Sequence, residues 1–143
     1  MKTIVYIDGL TEPVNPGGIT TYAFVVYREG EKVYEERKFI GSGKGFSNNV
    51  AEYSALVAAM KWLIANGQTD QVEIRSDSKL LVNQMRGEWN AKRGLYIETY
   101  KMAKQLLSSF KNISFRWVPR EENKEADRLS RLAYSEYVDK LRN

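Results

Sequence analysis

The sequence predicts an α/β fold, a five-stranded mixed sheet with helices on both faces in the order βββαβααβα. Three observations carry that prediction. Short β-branched and aromatic runs with period-two spacing alternate with longer stretches whose apolar residues recur every three or four positions. Glycines and polar clusters separate the two kinds of segment. A chain of 143 residues with 43% hydrophobic content supplies one core rather than two, so residues 1–143 are expected to form a single domain.

Lys2 to Asp8 is a β-branched and aromatic run ending in Asp8-Gly9, which reads as a buried strand stopped by a turn. Thr20 to Arg28 and Lys32 to Gly41 are the next strands, and the short polar link Arg28-Glu29-Gly30-Glu31 makes them an antiparallel hairpin. Asn49 to Asn66 is predicted as a largely buried helix, with Ser47, Asn48 and Asn49 available as caps and Gly67 as its left-handed stop. Its apolar stripe is Ala51, Ala55, Ala58, Ala59 and Trp62, broadened by Leu56, Met60 and Leu63. Gln71 to Asp77 alternates Val72 and Ile74 with Glu73 and Arg75, giving a fourth strand, after which Ser78 or Asp77 caps a short helix through Met85. Leu95 to Phe110 follows as a helix with Leu95, Thr99, Met102, Ala103, Leu106 and Phe110 on its inward side and Lys101 and Lys104 away from it. Ile113 to Val118 is the fifth strand, in which Ile113, Phe115 and Trp117 alternate with Ser114 and Arg116 until Pro119 ends it. Asn123 to Leu141 closes the order as a helix with Ala126, Leu129, Leu132, Ala133 and Tyr137 inward. The first and fourth strands lie beside helix-forming segments, which favours a mixed sheet covered by helices.

Composition narrows the chemistry. With no cysteine and no histidine, disulfides, thiol nucleophiles, zinc sites built on those residues and a Ser-His-Asp triad are excluded. No run of about 18 apolar residues occurs and Asp8 interrupts the first apolar stretch, so neither a membrane span nor a signal-peptide core is expected; the expectation is a cytoplasmic protein. The net charge of +4 is unevenly spread. Between Ser78 and Lys111 seven lysines and arginines stand against Glu88 and Glu98, with Trp89, Tyr96 and Tyr100 among them. That mixture suits a sugar-phosphate backbone, and it equally describes a solvated helix face with core aromatics. Trp89 itself is assigned to the core. Gly41-Ser42-Gly43-Lys44-Gly45 lacks the Ser or Thr after lysine that a phosphate loop requires and reads as a flexible turn.

Four carboxylates, Asp8, Glu52, Asp77 and Asp127, fall where four elements begin or end. Each has an ordinary explanation as a turn residue, a cap or a partner of a helix dipole. Their convergence is another matter, because uncompensated carboxylates repel unless a cation neutralises them. Oxygen-only ligands suit Mg²⁺ or Mn²⁺.

The residues around these carboxylates resemble those of type 1 ribonucleases H over nearly the whole chain. Tyr6-Ile7-Asp8-Gly9 with Asn15-Pro16-Gly17-Gly18 is similar to that family's first strand and following loop. Ser47-Asn48-Asn49-Val50-Ala51-Glu52 resembles its helix opening, and Ser76-Asp77-Ser78 its strand-to-helix aspartate. Trp117-Val118-Pro119 with Asn123-Lys124-Glu125-Ala126-Asp127 resembles its last strand and final aspartate. The resemblance implies the ribonuclease H-like fold and hydrolysis of the RNA strand of RNA/DNA hybrids, with two divalent ions, Mg²⁺ or Mn²⁺, and products carrying 5′-phosphate and 3′-hydroxyl ends. It implies Asp8 as the ligand shared between the ions, Glu52 and Asp77 on one of them and Asp127 on the other. Asn15, Asn48, Asn49 and the backbone around Gly17 become candidates for the RNA 2′-hydroxyls. Ser47 and Ser78 either cap helices or touch phosphate. Many relatives carry a histidine where this chain has Glu121, and Arg120 is the candidate to replace it against the phosphate. The stretch Met85 to Leu95 is too short for the basic protrusion common in bacterial relatives. A monomer acting on hybrid is expected, with double-stranded RNA as a further substrate to compare. The rivals are a DNA-acting nuclease and a non-catalytic nucleic-acid-binding module of the same fold.

Overall fold

A computed structural model describes residues 2–143. The chain forms β1 (Thr3–Glu12), β2 (Ile19–Arg28), β3 (Glu31–Ser42), α1 (Asn48–Ala65), β4 (Val72–Ser76), α2 (Lys79–Met85), α3 (Ile97–Leu106), β5 (Ile113–Trp117) and α4 (Lys124–Arg142). Short 3₁₀ turns follow α3 (Leu107–Ser109) and precede α4 (Arg120–Glu122). The sheet order is β3-β2-β1-β4-β5. The first three strands are antiparallel, whereas β4 runs parallel to β1 and β5 parallel to β4. This is the mixed sheet expected from the order of elements.

Each face of the sheet is covered because the strands in the middle are apolar on both sides. Val5, Ile7, Phe24 and Val26 pack with Leu56, Met60 and Leu63 of α1. On the opposite side Ala23 and Val25 meet Ala126 and Leu129 of α4, flanked by Tyr6 and Tyr27. The β2–β3 hairpin turns through Glu29 (φ 53°) and Gly30 (φ 79°), two left-handed positions that match the twist of the paired strands. Ser47 caps α1 by accepting from the Val50 N–H at 3.2 Å. At the other end the Gly67 N–H bonds Ile64 O and the Gln68 N–H bonds Leu63 O, the paired closure that a left-handed glycine allows.

Five expectations are corrected, in β1, in α3, and at Trp89, Trp117 and Leu132. β1 does not stop at Asp8-Gly9 but continues to Glu12, because Gly9 to Glu12 still pair with β2 from Tyr22 to Ile19. Ala103, Leu106 and Phe110 of the expected inward side of α3 do reach the core, joined there by Tyr96, Tyr100 and Leu107, while Leu95 and Met102 are 50% and 42% exposed. Tyr53 of α1 causes this, stacking on Tyr96 at 5.5 Å and meeting Tyr100 edge-on at 5.7 Å. Trp89 is 48% exposed and not core, and Trp117 and Leu132 are also part-exposed, at 41% and 36%. For Trp117 the reason is its place on the edge strand β5, where its indole N–H reaches Asp77 O at 3.1 Å and Lys79 Nζ lies over its ring. α4 runs through Arg142, one residue past its expected end at Leu141. Among the described residues, no helix is long and apolar enough to cross a membrane.

Candidate active site

The site sits where β1 outruns β4. Parallel pairing between them ends at Tyr6 opposite Arg75, so Asp8 lies two residues past its neighbour's last partner and faces a notch. The first turns of α1 and α4 approach that notch. Gly9 permits the approach of α1: a Cβ there would lie 2.6 Å from the Ala51 Cβ, so any side chain would push α1 and its Glu52 away.

Asp8, Glu52 and Asp77 each offer a carboxylate oxygen within 4.8 Å of the others. Together with Asp127, Arg120, Asn48 and Arg131 they line a cleft of about 430 Å³. The sequence-predicted carboxylates are thus brought to one place. Asp127 is on its rim, its carboxylate held by Arg131 Nε at 3.2 Å.

Burial, followed by the charge of Asp77, pushes the Asp8 carboxyl up to about 7, against the pull of the Ser130 hydroxyl toward the ionised form. Glu52 is raised well above its ordinary value by burial, then by the charges of Asp8 and Asp77. Asp77 is also raised, chiefly by burial, although the Asn123 hydrogen bond and the Arg120 charge oppose it. One oxygen of Glu52 is buried without any partner among the described residues. Clustered carboxylates whose charged forms are this costly, with an orphaned buried oxygen among them, fit a hard divalent cation.

The remaining sequence-predicted residues divide. Asn48 lines the cleft; its Oδ1 accepts from the Thr11 N–H at 2.8 Å. Asn15 stands beside it and accepts from the Asn48 N–H at 2.9 Å through its own Oδ1. Both amide oxygens are therefore used internally, which turns the two NH₂ groups into the free ends. Asn49 is half-buried beside Asn48. The backbone of Gly17 is engaged, donating to Phe46 O and accepting from the Gly43 N–H. Ser47 and Ser78 both act as helix caps, Ser78 accepting from the Leu81 N–H at 3.2 Å. Arg120 faces the cleft, whereas Glu121 lines a groove behind it.

Sequence reasoning missed three supporting residues. Ser130 lies 2.9 Å from both Asp8 Oδ2 and Asp127 O, and its own carbonyl accepts from Thr21 Oγ1 at 2.8 Å. Its single proton serves one acceptor at a time, so it joins β1 to the first turn of α4. Asn123 donates to Ile7 O at 2.8 Å and also bonds Asp77. Arg131 pairs with Asp127 and stands 3.9 Å from Glu12. A signal existed: Ser130 is four residues after Ala126 and Arg131 four after Asp127, spacings that put each pair on one helix face.

Comparison with known proteins agrees with this geometry. Residues 18–133 match the family model described as reverse transcriptase-like. A bifunctional protein of Mycobacterium tuberculosis is 36% identical over 132 residues, 91% of this chain and 35% of that protein. The chain thus spans about a third of the length of the first curated relatives it matches. The solved N-terminal RNase H domain of that protein aligns with a TM-score of 0.83 over 93% of this chain and 98% of the domain. RNase H1 of the archaeon Halobacterium salinarum aligns at 0.85 with 32% identity, covering 95% of this chain and 99% of that one. LC11-RNase H1, isolated from compost by a metagenomic approach and solved in complex with an RNA/DNA hybrid, matches with the same score, identity and coverage.

Proposed function

The chain belongs to the type 1 ribonuclease H family, and from that premise we propose that it is an endoribonuclease hydrolysing the RNA strand of RNA/DNA hybrids to 5′-phosphate and 3′-hydroxyl ends. The observation that supports this most is the meeting of Asp8, Glu52 and Asp77 oxygens within 4.8 Å, at the floor of a cleft that also presents a cation, Arg120. These three carboxylates and Asp127 would hold the metal, with Asp8, whose charge feels both Asp77 and Asp127, as the shared ligand. Two bound divalent ions, Mg²⁺ or Mn²⁺, would supply an activated water and stabilise charge on the leaving 3′-oxygen.

The chain's own side chains do the rest. Arg120 sets a guanidinium against the scissile phosphate. Asn48 and Asn15, their oxygens already bonded inside the chain, present NH₂ donors suited to the lone pairs of 2′-hydroxyls, the group that distinguishes RNA from DNA. Ser47 and Ser78 act by fixing the helix openings that carry Glu52 and follow Asp77. This reading describes a cytoplasmic monomer whose single domain spans residues 1–143.

A Mg²⁺-dependent cleavage assay on labelled RNA/DNA hybrid, double-stranded RNA and double-stranded DNA tests it. Hybrid is cut in its RNA strand, and Asp8→Asn removes most of that turnover. Absence of hybrid cleavage in both Mg²⁺ and Mn²⁺, or an Asp8→Asn protein that cuts like the parent, refutes the reading. Preferential cutting of duplex DNA makes the protein a DNA-acting nuclease instead.

A further inference from the structure

A groove of about 390 Å³ lies behind the Arg120–Glu122 turn, bounded by the start of β1 and the tip of the β2–β3 hairpin, and the reaction proposed for the cleft makes no use of it. Its floor is Ile4, Tyr6 and Tyr27. The two rings meet edge to face at 5.9 Å. Their hydroxyls are already engaged, Tyr6 accepting from Arg75 at 2.7 Å and Tyr27 donating to Glu125 at 2.5 Å. Arg75 already lies over the Tyr6 ring, 5.4 Å from its centroid, so what the floor offers a ligand is the remaining ring surface, with Tyr27 free of such a cation among the described residues.

The polar groups around it share one character. Glu29, Glu121 and Glu122 line the groove, are exposed and have no ion-pair partner among the described residues. Of the two lysines there, Lys2 is held by Glu73 at 3.0 Å, which leaves Lys124. Asn123 closes the inner end with 1% of its surface exposed. Its Nδ2 donates to Ile7 O, while its Oδ1 is buried and accepts no hydrogen bond among the described residues. Apart from Lys124, the unpaired polar side chains of the groove among the described residues are anions or an acceptor, in a chain whose net charge is +4.

The complementary chemistry is a cation on an apolar stem, which lays its methylenes on tyrosine rings and carries its charge to the rim. The volume lies at the small end of ligand sites, so it admits one or two side chains and no folded surface. Glu29 and Glu122 belong to separate elements, the hairpin tip and the turn before α4, and a segment crossing between them satisfies both. We propose that this groove docks a basic peptide segment of a partner protein, an arginine or lysine resting on Tyr6 and Tyr27 with its charge against the glutamates and a donor on Asn123. The groove's chemistry is independent of the reaction in the cleft, but Asn123 also holds Asp77 and Ile7, so a docked segment grips a residue that supports the carboxylates.

Fluorescence polarisation with a fluorescein-labelled pentapeptide, Gly-Arg-Leu-Arg-Gly with blocked ends, tests this on the full chain in EDTA. Saturable one-to-one binding is expected, weakened roughly tenfold or more in the Glu29→Gln/Glu122→Gln protein and unchanged in Asp8→Asn, which alters the other acidic cavity. No saturable binding to the parent protein overturns the proposal. So does equal weakening by Asp8→Asn, which places the peptide in the cleft, or competition by arginine amide as tight as by the peptide, which makes the groove a small-molecule site.

Discussion

Asp8 is held where its ionised form is unfavourable unless a cation is present, and this has a consequence for stability. Its carboxyl titrates at about 7 in the folded chain against an ordinary value of 3.8, so between those values the folded state carries the extra proton. Stability then falls as pH rises through that window, by on the order of 4 kcal/mol if Asp8 acted alone. Glu52 and Asp77 are raised in the same direction. Glu73, Glu125 and Glu136 are shifted downward, and their stabilisation is lost only at lower pH, so the range from 5.5 to 8 isolates the cleft. The melting temperature in EDTA should decline across that range, less steeply in Asp8→Asn, and added Mg²⁺ should raise it more at pH 8 than at pH 5.5. A flat profile in EDTA shows that these carboxyls are not protonated in the folded protein. Ser130 belongs to the same scale. Its hydroxyl fixes one Asp8 oxygen at 2.9 Å, and residues that orient ligands commonly contribute 10–100-fold to metal affinity. Ser130→Ala should therefore weaken Mg²⁺ binding in calorimetry by about that range, and unchanged affinity would leave Ser130 as a pin between α4 and β2. The carboxylates themselves were legible because position and motif coincide; Ser130 offered only its spacing from Ala126, and a serine on an inward face otherwise looks like a small packing residue.

At the scale of elements, α3 shows how far periodicity carries. Leucine and methionine outrank tyrosine in hydrophobicity, so a stripe that takes in Leu95 and Met102 beside Ala103, Leu106 and Phe110 is the natural reading, and its last three members do pack on the core. The helix is instead rotated toward Tyr53, because stacked and edge-on ring contacts recruit Tyr96 and Tyr100, and no periodicity rule reveals which partner ring waits across the interface. Tyr53 also donates to Gln84 Oε1 at 2.6 Å, and Gln84 Nε2 donates to Tyr96 and to Asn90 O. This buried network ties α1, α2 and the basic loop before α3 together. Tyr53→Phe leaves the Gln84 oxygen without its donor and should cost about 1–3 kcal/mol, whereas Met102→Gln should change stability by less than about 0.5 kcal/mol. Urea denaturation measures both; a large loss in Met102→Gln would restore the leucine-methionine stripe. By contrast α1 was readable at both ends, with Ser47 as its cap and Gly67 as its stop, and in Ala51, Ala55, Leu56, Ala59, Met60 and Leu63 of its stripe, although Ala58 and Trp62 are only partly buried and the burial of Tyr53 was not foreseen. The overrun of β1 was hidden for a different reason: Asp8-Gly9 carries a turn signature, yet Gly9 is required there by the closeness of Ala51.

Across the whole molecule the charge distribution decides how a polyanion is met. Of the cations between Ser78 and Lys111, Arg86 donates to Phe115 O, Lys101 pairs with Glu98 and Lys104 lies over the Tyr100 ring. Lys92 and Arg93 remain exposed without an ion pair among the described residues, in the same loop as exposed Trp89. The even choice between a backbone-tracking surface and a solvated helix face thus resolves by residue: Tyr96 and Tyr100 pack on the core, and the loop holding Trp89, Lys92 and Arg93 is open to solvent. If hybrid lies against that loop while its RNA strand occupies the cleft, each neutralised phosphate releases counterions and steepens the salt dependence of affinity by about 0.9 in a log-log plot. Hybrid binding to the Asp8→Asn protein, followed by anisotropy from about 50 to 200 mM salt, should give a linear decline. Adding Lys92→Gln and Arg93→Gln should flatten the slope by roughly two and weaken affinity without favouring any sequence. The same change at Lys61 and Lys140, exposed on α1 and α4, should leave the slope in place. An unaltered slope in the first pair, with loss in the second, would move the nucleic-acid path away from the loop and onto the helices that cover the sheet.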